Sequence, residues 1–151
     1  LDRASAASDV YKRQGQRLIA VSGGRFSLAI TADGAVWSWG SGGYGLLGHG
    51  DQRTQLLPKK VEAFAGQRVV AVSAGEYHSL ALTADGAVWS WGAGSHGKLG
   101  HDNYPQDQLR PKKGEALAGQ RGVAVTAGGV HSLALTGDDC HHQAGTQYNQ
   151  H

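Results

Sequence analysis

The stretch Thr31-Ala-Asp-Gly-Ala-Val-Trp-Ser-Trp-Gly40 returns unchanged as Thr83–Gly92. Around these two copies, the tripeptide Gly-Gln-Arg begins at Gly15, Gly66 and Gly119, at spacings of 51 and 53 residues. A period of this length is typical of solenoids, propellers and other repeat arrays. The chain is therefore predicted to be built from tandem units, each too small to bury its own core.

The repeats divide the chain into five predicted segments. The third copy follows the pattern through Thr136 and then departs from it, because residues 137–142 no longer resemble the matching residues 84–89. Residues 1–14 match nothing in the repeat and read as translated adapter sequence or as a native flexible terminus. The predicted segments are an unstructured or non-native leader (1–14), repeat 1 (15–65), repeat 2 (66–118), a partial repeat 3 (119–136) and a divergent tail (137–151).

Within a unit, large and small residues alternate with a period of two, which predicts short strands. Leu80 and Leu82 share one face of a strand, and Trp89 and Trp91 share one face of the next. The Asp-Gly pair between them predicts a type I′ hairpin turn with positive φ at both positions. Strands with one bulky and one small face suit sheets that stack face to face, so the fold class is predicted to be an all-β propeller.

The paired tryptophans allow two interpretations. They could form an exposed platform on which bases or sugars stack, or they could pack between neighbouring sheets. Their place on one strand face favours the packed interpretation. In that case Trp89→Ala would cost about 3–5 kcal/mol of stability.

Composition excludes several classes of protein. The chain has 24 glycines in 151 residues, about twice the usual share, which predicts many tight turns. Its net charge of +2 comes without a long basic run, which argues against a nucleic-acid partner. No apolar stretch is long enough to span a membrane, and the single cysteine cannot form an internal disulfide. We expect an intracellular protein, cytoplasmic or nuclear.

The stretch Val69–Leu82, its continuation Asp85–Gly92 and the segment Gly97–His101 resemble the repeat of the regulator-of-chromosome-condensation family. The resemblance runs from about Gly15 to Thr136. It implies a β-propeller of four-stranded blades, usually seven in the family, of which this chain would supply about two to two and a half. Kelch repeats are a more distant alternative, because their Gly-Gly doublets are absent from the second copy.

The resemblance also implies a function. Propeller domains of this family serve as protein–protein interaction modules, and the segments 57–66 and 79–86 look most like those of HECT-type ubiquitin ligases. The chain itself is therefore expected to be non-enzymatic and part of a larger regulatory protein, with a protein partner of unknown identity. The alternative is a guanine-nucleotide exchange factor that acts on a small GTPase.

Candidate partner-binding residues lie in the predicted loops. His49 and His101 end two Leu-Gly-His turns, at a rim where loops from several units would cluster. Tyr44, His96 and Tyr104 lie in the same connections. These five residues are the predicted partner surface, although ordinary loop residues would give the same pattern.

Other motifs are weaker. Residues 40–45 fit Gly-x-Gly-x-x-Gly, but no helical pattern follows to hold a pyrophosphate, so a repeated turn is the better interpretation and no cofactor is predicted. His78 and His131 recur at repeat spacing, which favours structural histidines over a ligand pair. The run 140–142 contains one cysteine and two histidines but lacks the paired spacing of a metal site. No metal ligand and no catalytic residue is therefore predicted.

Overall fold

The fold is an array of antiparallel β-sheets. A computed structural model describes residues 18–22, 25–94, 99, 106–114, 122–127 and 132–136. Two one-turn 3₁₀ helices, Gly43–Gly45 and Glu62–Phe64, lie in the connections between described strands. The strands are β1 (Leu18–Ser22), β2 (Phe26–Thr31), β3 (Val36–Gly40), β4 (Gln55–Lys60), β5 (Val69–Ala74), β6 (His78–Thr83), β7 (Val88–Gly92), β8 (Gln108–Lys113), β9 (Gly122–Ala127) and β10 (Ser132–Thr136).

Each complete repeat forms one four-stranded meander. The first sheet has the order β1-β2-β3-β4, the second has the order β5-β6-β7-β8, and β9 pairs with β10. All neighbouring strands are antiparallel. The second and third strands of the two sheets share the same register, since Phe26 pairs with Gly40 in one sheet and His78 pairs with Gly92 in the other. The predicted all-β repeat architecture is confirmed.

The two sheets pack face to face, and their facing sides differ in character. The side of the first sheet that faces the second carries Phe26 and large aliphatic residues, and the side of the second sheet that faces the first carries Ala81 and two tryptophans. Trp91 is fully buried, and its ring centroid lies 5.7 Å from that of Phe64. Trp89 is only partly buried against the same cluster. The buried core shared by the sheets contains Phe26, Leu28, Ile30, Val36, Leu46, Leu47, Val61, Phe64, Val69, Ala81 and Trp91.

A loop of the first unit crosses onto the second sheet. This loop, Gly45–Gly50, is called the strap. The indole Nε1 of Trp91 donates a hydrogen bond to the backbone carbonyl of Leu46 at 3.0 Å, and the Ser79 hydroxyl donates to the same carbonyl at 3.3 Å. Further along the strap, the backbone N–H of Gly50 donates to the Leu109 carbonyl at 2.9 Å. Consecutive units are therefore joined by polar contacts as well as by the apolar core.

The hairpin turns differ from the predicted type I′ geometry. Positive φ occurs at Gly34 (+89°) and Gly86 (+88°), but at neither preceding aspartate. In the second turn, the backbone N–H of Thr83 donates to the Ala87 carbonyl at 3.0 Å, and that of Gly86 donates to the Thr83 carbonyl at 2.9 Å. This is a three-residue loop with glycine in the left-handed position. The Asp85 carboxylate closes it by accepting hydrogen bonds from the Thr83 hydroxyl at 2.6 Å and the Ala87 backbone at 3.2 Å.

A β-bulge interrupts the predicted alternation in the second sheet. Val69 pairs with Thr83 and Ala71 pairs with Leu82, so Val70 is the extra residue on its strand. The corresponding part of β1 pairs without interruption. Val70 is 44% exposed, whereas Val69 is buried. The extra residue of the bulge therefore lies exposed at the edge of the interface between the sheets.

Candidate functional site

Three side chains from both units meet at the end of the sheets where β2 and β6 begin. They are Arg25, Tyr44 and Tyr77, called the Arg–Tyr cluster. The Arg25 guanidinium Nη2 donates a hydrogen bond to the Tyr77 hydroxyl at 3.1 Å, and its Cζ lies 4.9 Å from the Tyr77 ring centroid. The rings of Tyr44 and Tyr77 meet edge to face, with centroids 5.6 Å apart and an interplanar angle of 86°. The cluster therefore bridges the two sheets on their loop face.

Arg25 and Tyr77 hold equivalent places in the two units. Each directly precedes the first residue of the second strand of its sheet, Phe26 in one and His78 in the other. Sequence reasoning missed this pair because the first copy is one residue short in the preceding loop. Aligning the copies from the strand backwards brings the two residues together. Their large side chains, at a position directly before a buried strand, were the available signal.

Tyr44 is held in an unusual backbone conformation. Its φ is +59°, and among the residues the structure describes it is the one non-glycine residue with positive φ. Its backbone N–H donates to the Gln52 side-chain oxygen at 3.2 Å, which tethers the loop. The left-handed conformation costs an L-residue roughly 1–2 kcal/mol. The side chain nevertheless remains 47% exposed, so this strain presents an aromatic ring to solvent rather than burying it.

His49 lies in the same connection but faces inward. Its Nε2 lies 2.9 Å from the Ser38 hydroxyl oxygen, and that hydroxyl lies 2.8 Å from the Leu47 carbonyl. A serine hydroxyl has one proton, and the carbonyl can only accept, so the hydroxyl donates to Leu47 and accepts from His49 Nε2–H. Burial, and next the positive charge of Lys59, lower the pKa of His49 below its ordinary value. The neutral imidazole thus supports the loop that carries Tyr44.

The lowered pKa of His49 predicts an acid-sensitive contribution to stability. The folded chain binds the proton less readily than the unfolded chain, so this contribution is complete above the unfolded pKa of about 6.5 and is lost as pH falls through the lower folded pKa. Urea unfolding of the wild type and of His49→Gln, between about pH 7.5 and pH 5, should show the stability difference shrinking toward acid. Parallel stability curves would contradict this assignment.

The remaining predicted partner residues, His96, His101 and Tyr104, lie outside the residues that the structure describes. So do His131 and the run 140–142. The glycine motif at residues 40–45 leads into a single 3₁₀ turn and not into an α-helix, as the turn interpretation predicted.

His78 is the fully buried first residue of β6, and the buried Phe26 takes the same place in the first sheet. A core aromatic at the equivalent position supports a structural role for this histidine. Within the described part of the chain, no group of three or more His, Cys, Asp or Glu side chains could hold a metal ion. The same part contains no helix that could cross a membrane.

The sequence and fold match proteins of one repeat family. The family profile of the regulator of chromosome condensation (RCC1) repeat matches residues 33–82 and 85–135, and a second profile of the same description matches 19–46 and 69–98. The human E3 ubiquitin-protein ligase HERC2 is 43% identical over 120 residues, which cover 78% of this chain and 2% of HERC2.

Two solved structures share the fold. Human WBSCR16 has a TM-score of 0.76 at 25% identity, covering 82% of this chain and 31% of that one. Prp20p from Saccharomyces cerevisiae, a protein described with its binding to Gsp1p and histones, has a TM-score of 0.71 at 24% identity, covering 79% and 31%. The chain thus spans less than a third of each of these proteins. It belongs to the regulator of chromosome condensation (RCC1) repeat family, and its two four-stranded sheets are blades of a partial β-propeller.

Proposed function

We propose that the chain is a protein–protein interaction module whose binding surface is centred on the Arg–Tyr cluster. The observation that carries this proposal is the strained, half-exposed Tyr44 packed against Tyr77 and Arg25. Backbone strain of this kind persists where the surroundings enforce it, and it is concentrated at ligand clamps and other functional sites. Tyrosine and arginine are also the residue types enriched among interface hot spots.

The cluster is organised before any partner binds. The Tyr77 hydroxyl and ring both contact Arg25, and the Tyr44 loop is tied by Gln52 and by the His49–Ser38 hydrogen bond. Side chains that are already ordered lose less entropy when a partner docks on them. Their contacts cross from one blade to the next, so the surface depends on the packed pair of blades.

Replacing Tyr44 by glycine separates binding from stability. Glycine adopts positive φ without strain, but the change also removes the ring contact with Tyr77 and gives the unfolded chain more freedom, so Tyr44→Gly should change the free energy of unfolding by no more than about 1 kcal/mol in either direction. The same change removes the exposed ring and should weaken partner binding by about tenfold or more, as expected for a hot spot. Thermal unfolding and quantitative affinity purification from cells would measure the two effects.

The matched control is Leu56→Ser, which removes an exposed apolar side chain of β4 that belongs neither to the Arg–Tyr cluster nor to the hollows between the sheets. We expect its recovered proteins to match those of the wild type. Proteins lost with Tyr44→Gly and with Tyr77→Ala, but retained with Leu56→Ser, are the proposed partners. If all three variants recover the same proteins as the wild type, the Arg–Tyr cluster is not the binding surface.

We further propose that the module serves a ubiquitin-ligase-associated regulatory protein. The 43% identity to HERC2 supports this proposal, although the match covers only 2% of that ligase. Sequencing the complete transcript tests it directly. A HECT-type catalytic region in the same reading frame would support the assignment, and a complete open reading frame without one would refute it.

The alternative is a guanine-nucleotide exchange factor for a small GTPase. The fold match to Prp20p, a protein described with its binding to Gsp1p, is the observation that supports this alternative. Exchange would require tight binding of the nucleotide-free GTPase and no covalent chemistry on the propeller. The measurement is release of a fluorescent guanine nucleotide from a panel of small GTPases, with the full-length protein. Unchanged release rates across the panel would exclude this alternative.

A further inference from the structure

A second surface lies at the opposite end of the blades from the Arg–Tyr cluster. Arg25 precedes the first residue of β2, whereas Thr31 and Ala32, at the far end of that strand, border a hollow of about 300 Å³ between the two sheets. A six-residue strand separates these ends by about 20 Å. A second hollow of about 320 Å³ lies alongside the first. Both are at the small end of the range for ligand clefts, a size that suits individual peptide side chains.

The first hollow, of about 300 Å³, is called the inner hollow, and the second is called the outer hollow. The inner hollow is lined mainly by apolar side chains and has an exposed rim. Its floor includes the buried Ile30 and Val69, and its rim includes Ile19 and Val70, which are 62% and 44% exposed. Ile19 lies on the uninterrupted strand β1, and Val70 is the extra residue of the β-bulge in β5. Bulges of this kind often re-aim a side chain beside a functional site. The hollow therefore offers a socket for one large apolar side chain.

Arg68 joins the two hollows. It lines both, and among the described residues that line the inner hollow it is the one charged side chain. The outer hollow adds Lys60 and Asp33. The Asp33 carboxylate accepts hydrogen bonds from the Thr31 hydroxyl and, at 3.3 Å, from the Ala35 backbone N–H. Arg68 and Lys60 outnumber this one carboxylate among the described lining residues, so the surface formed by the two hollows carries a net positive charge beside its apolar socket.

We propose that this seam, defined by Ile19, Val70, Arg68 and Lys60, binds an extended acidic peptide segment of a partner protein. One large aliphatic side chain of the peptide occupies the inner hollow, and flanking carboxylates pair with Arg68 and Lys60. The planar guanidinium of Arg68 suits a bidentate carboxylate. In the sequence, arginine recurs at the same place in each unit, at Arg17, Arg68 and Arg121.

The seam is distinct from the proposed partner surface, and the two can be tested separately. The probe is the octapeptide Gly-Ser-Glu-Leu-Asp-Glu-Ser-Gly, titrated to about 2 mM into the ¹⁵N-labelled chain, a range suited to a Kd near 1 mM. Amide shifts are expected at Ile19, Arg68 and Val70, with Tyr44 and Tyr77 unaffected. Peptides with lysine in place of the acidic residues, or serine in place of leucine, should produce no saturable shift.

Two variants report on the two parts of the seam. Arg68→Glu should raise the Kd of the acidic peptide about tenfold, and Val70→Asp should do the same by placing a charge at the rim of the socket. Both positions are exposed, so unfolding transitions should stay close to that of the wild type. Tyr44→Gly serves as the control on the other face and should leave the Kd unchanged.

Three results would overturn the proposal. The first is the absence of saturable shifts at the seam with the acidic peptide. The second is equal binding of that peptide by the wild type and by Arg68→Glu. The third is a set of seam shifts that depend on the concentration of the chain alone, because a second copy of the chain would then be the occupant.

Discussion

Replacing Trp91 by alanine is expected to destabilise the chain by about 3–5 kcal/mol, the largest effect of any single change considered for it. The ring is fully buried between the two blades, where it packs near Phe64 and donates a hydrogen bond to the strap. Truncation removes that packing, leaves a cavity and deletes the donor. Equilibrium unfolding in urea, followed by circular dichroism, would measure the loss.

Two companion variants separate the contributions of Trp91. Trp91→Phe keeps most of the ring but removes the N–H, and it should cost about 1–2 kcal/mol, since Ser79 still donates to the Leu46 carbonyl. Trp89→Ala should cost about 2 kcal/mol, below the 3–5 kcal/mol expected from sequence, because that ring is only partly buried. Equal costs for Trp89→Ala and Trp91→Ala would contradict the asymmetry of the interface.

The second large effect is expected from one glycine of a neighbouring pair. A Cβ at Gly42 would overlap the backbone carbonyl of Arg53, across the loop that connects β3 to β4. Backbone cannot rotate away as a side chain can, so Gly42→Ala should cost about 2–3 kcal/mol. The displaced loop carries Tyr44, so binding at the Arg–Tyr cluster should weaken as well.

Gly43→Ala is the matched control for that change. The nearest atom to a Cβ at Gly43 is the Ser41 hydroxyl oxygen at 4.0 Å, so the methyl group meets open space. The expected change in stability is within about 0.5 kcal/mol of zero. Thermal unfolding of the two alanine variants side by side provides the measurement. Similar melting temperatures for Gly42→Ala and Gly43→Ala would contradict the expected loss, because the loop would then have moved to accommodate the Cβ at residue 42.

The sequence predicted the architecture well because its strongest signals are local and periodic. The duplicated segment places Trp39 and Trp91 at equivalent positions, and both are buried. The turn geometry was less accessible. An Asp-Gly pair suits both two-residue and three-residue loops, and the choice rests on the hydrogen bonds that Thr83 makes with Ala87 and Gly86. Both copies of the repeat form the same pairing, but the Asp-Gly pair by itself does not distinguish it from the two-residue loop.

The candidate site was predicted only in part. Tyr44 was named from its loop, but Arg25 and Tyr77 were missed. The shorter loop of the first copy obscured their equivalent places, and their contact with each other depends on how one blade rotates against the next. That rotation is set by packing across the whole interface and leaves no local pattern. The bulge at Val70 was missed for a similar reason, since two successive β-branched residues suit a regular strand as well as a bulged one.

The strap has a consequence for how such chains can gain and lose repeats. Trp91 donates a hydrogen bond to the backbone carbonyl of Leu46 in the preceding unit, so the junction does not depend on which side chain the accepting residue carries. Residue 98, one period after Leu46, is a lysine. Any junction in which the following unit carries this tryptophan can thus use the same main-chain acceptor while the strap side chains diverge. Deleting or duplicating one whole period, wherever the break falls, should rejoin a carbonyl to an indole, which would let repeat number vary without the invention of a new interface.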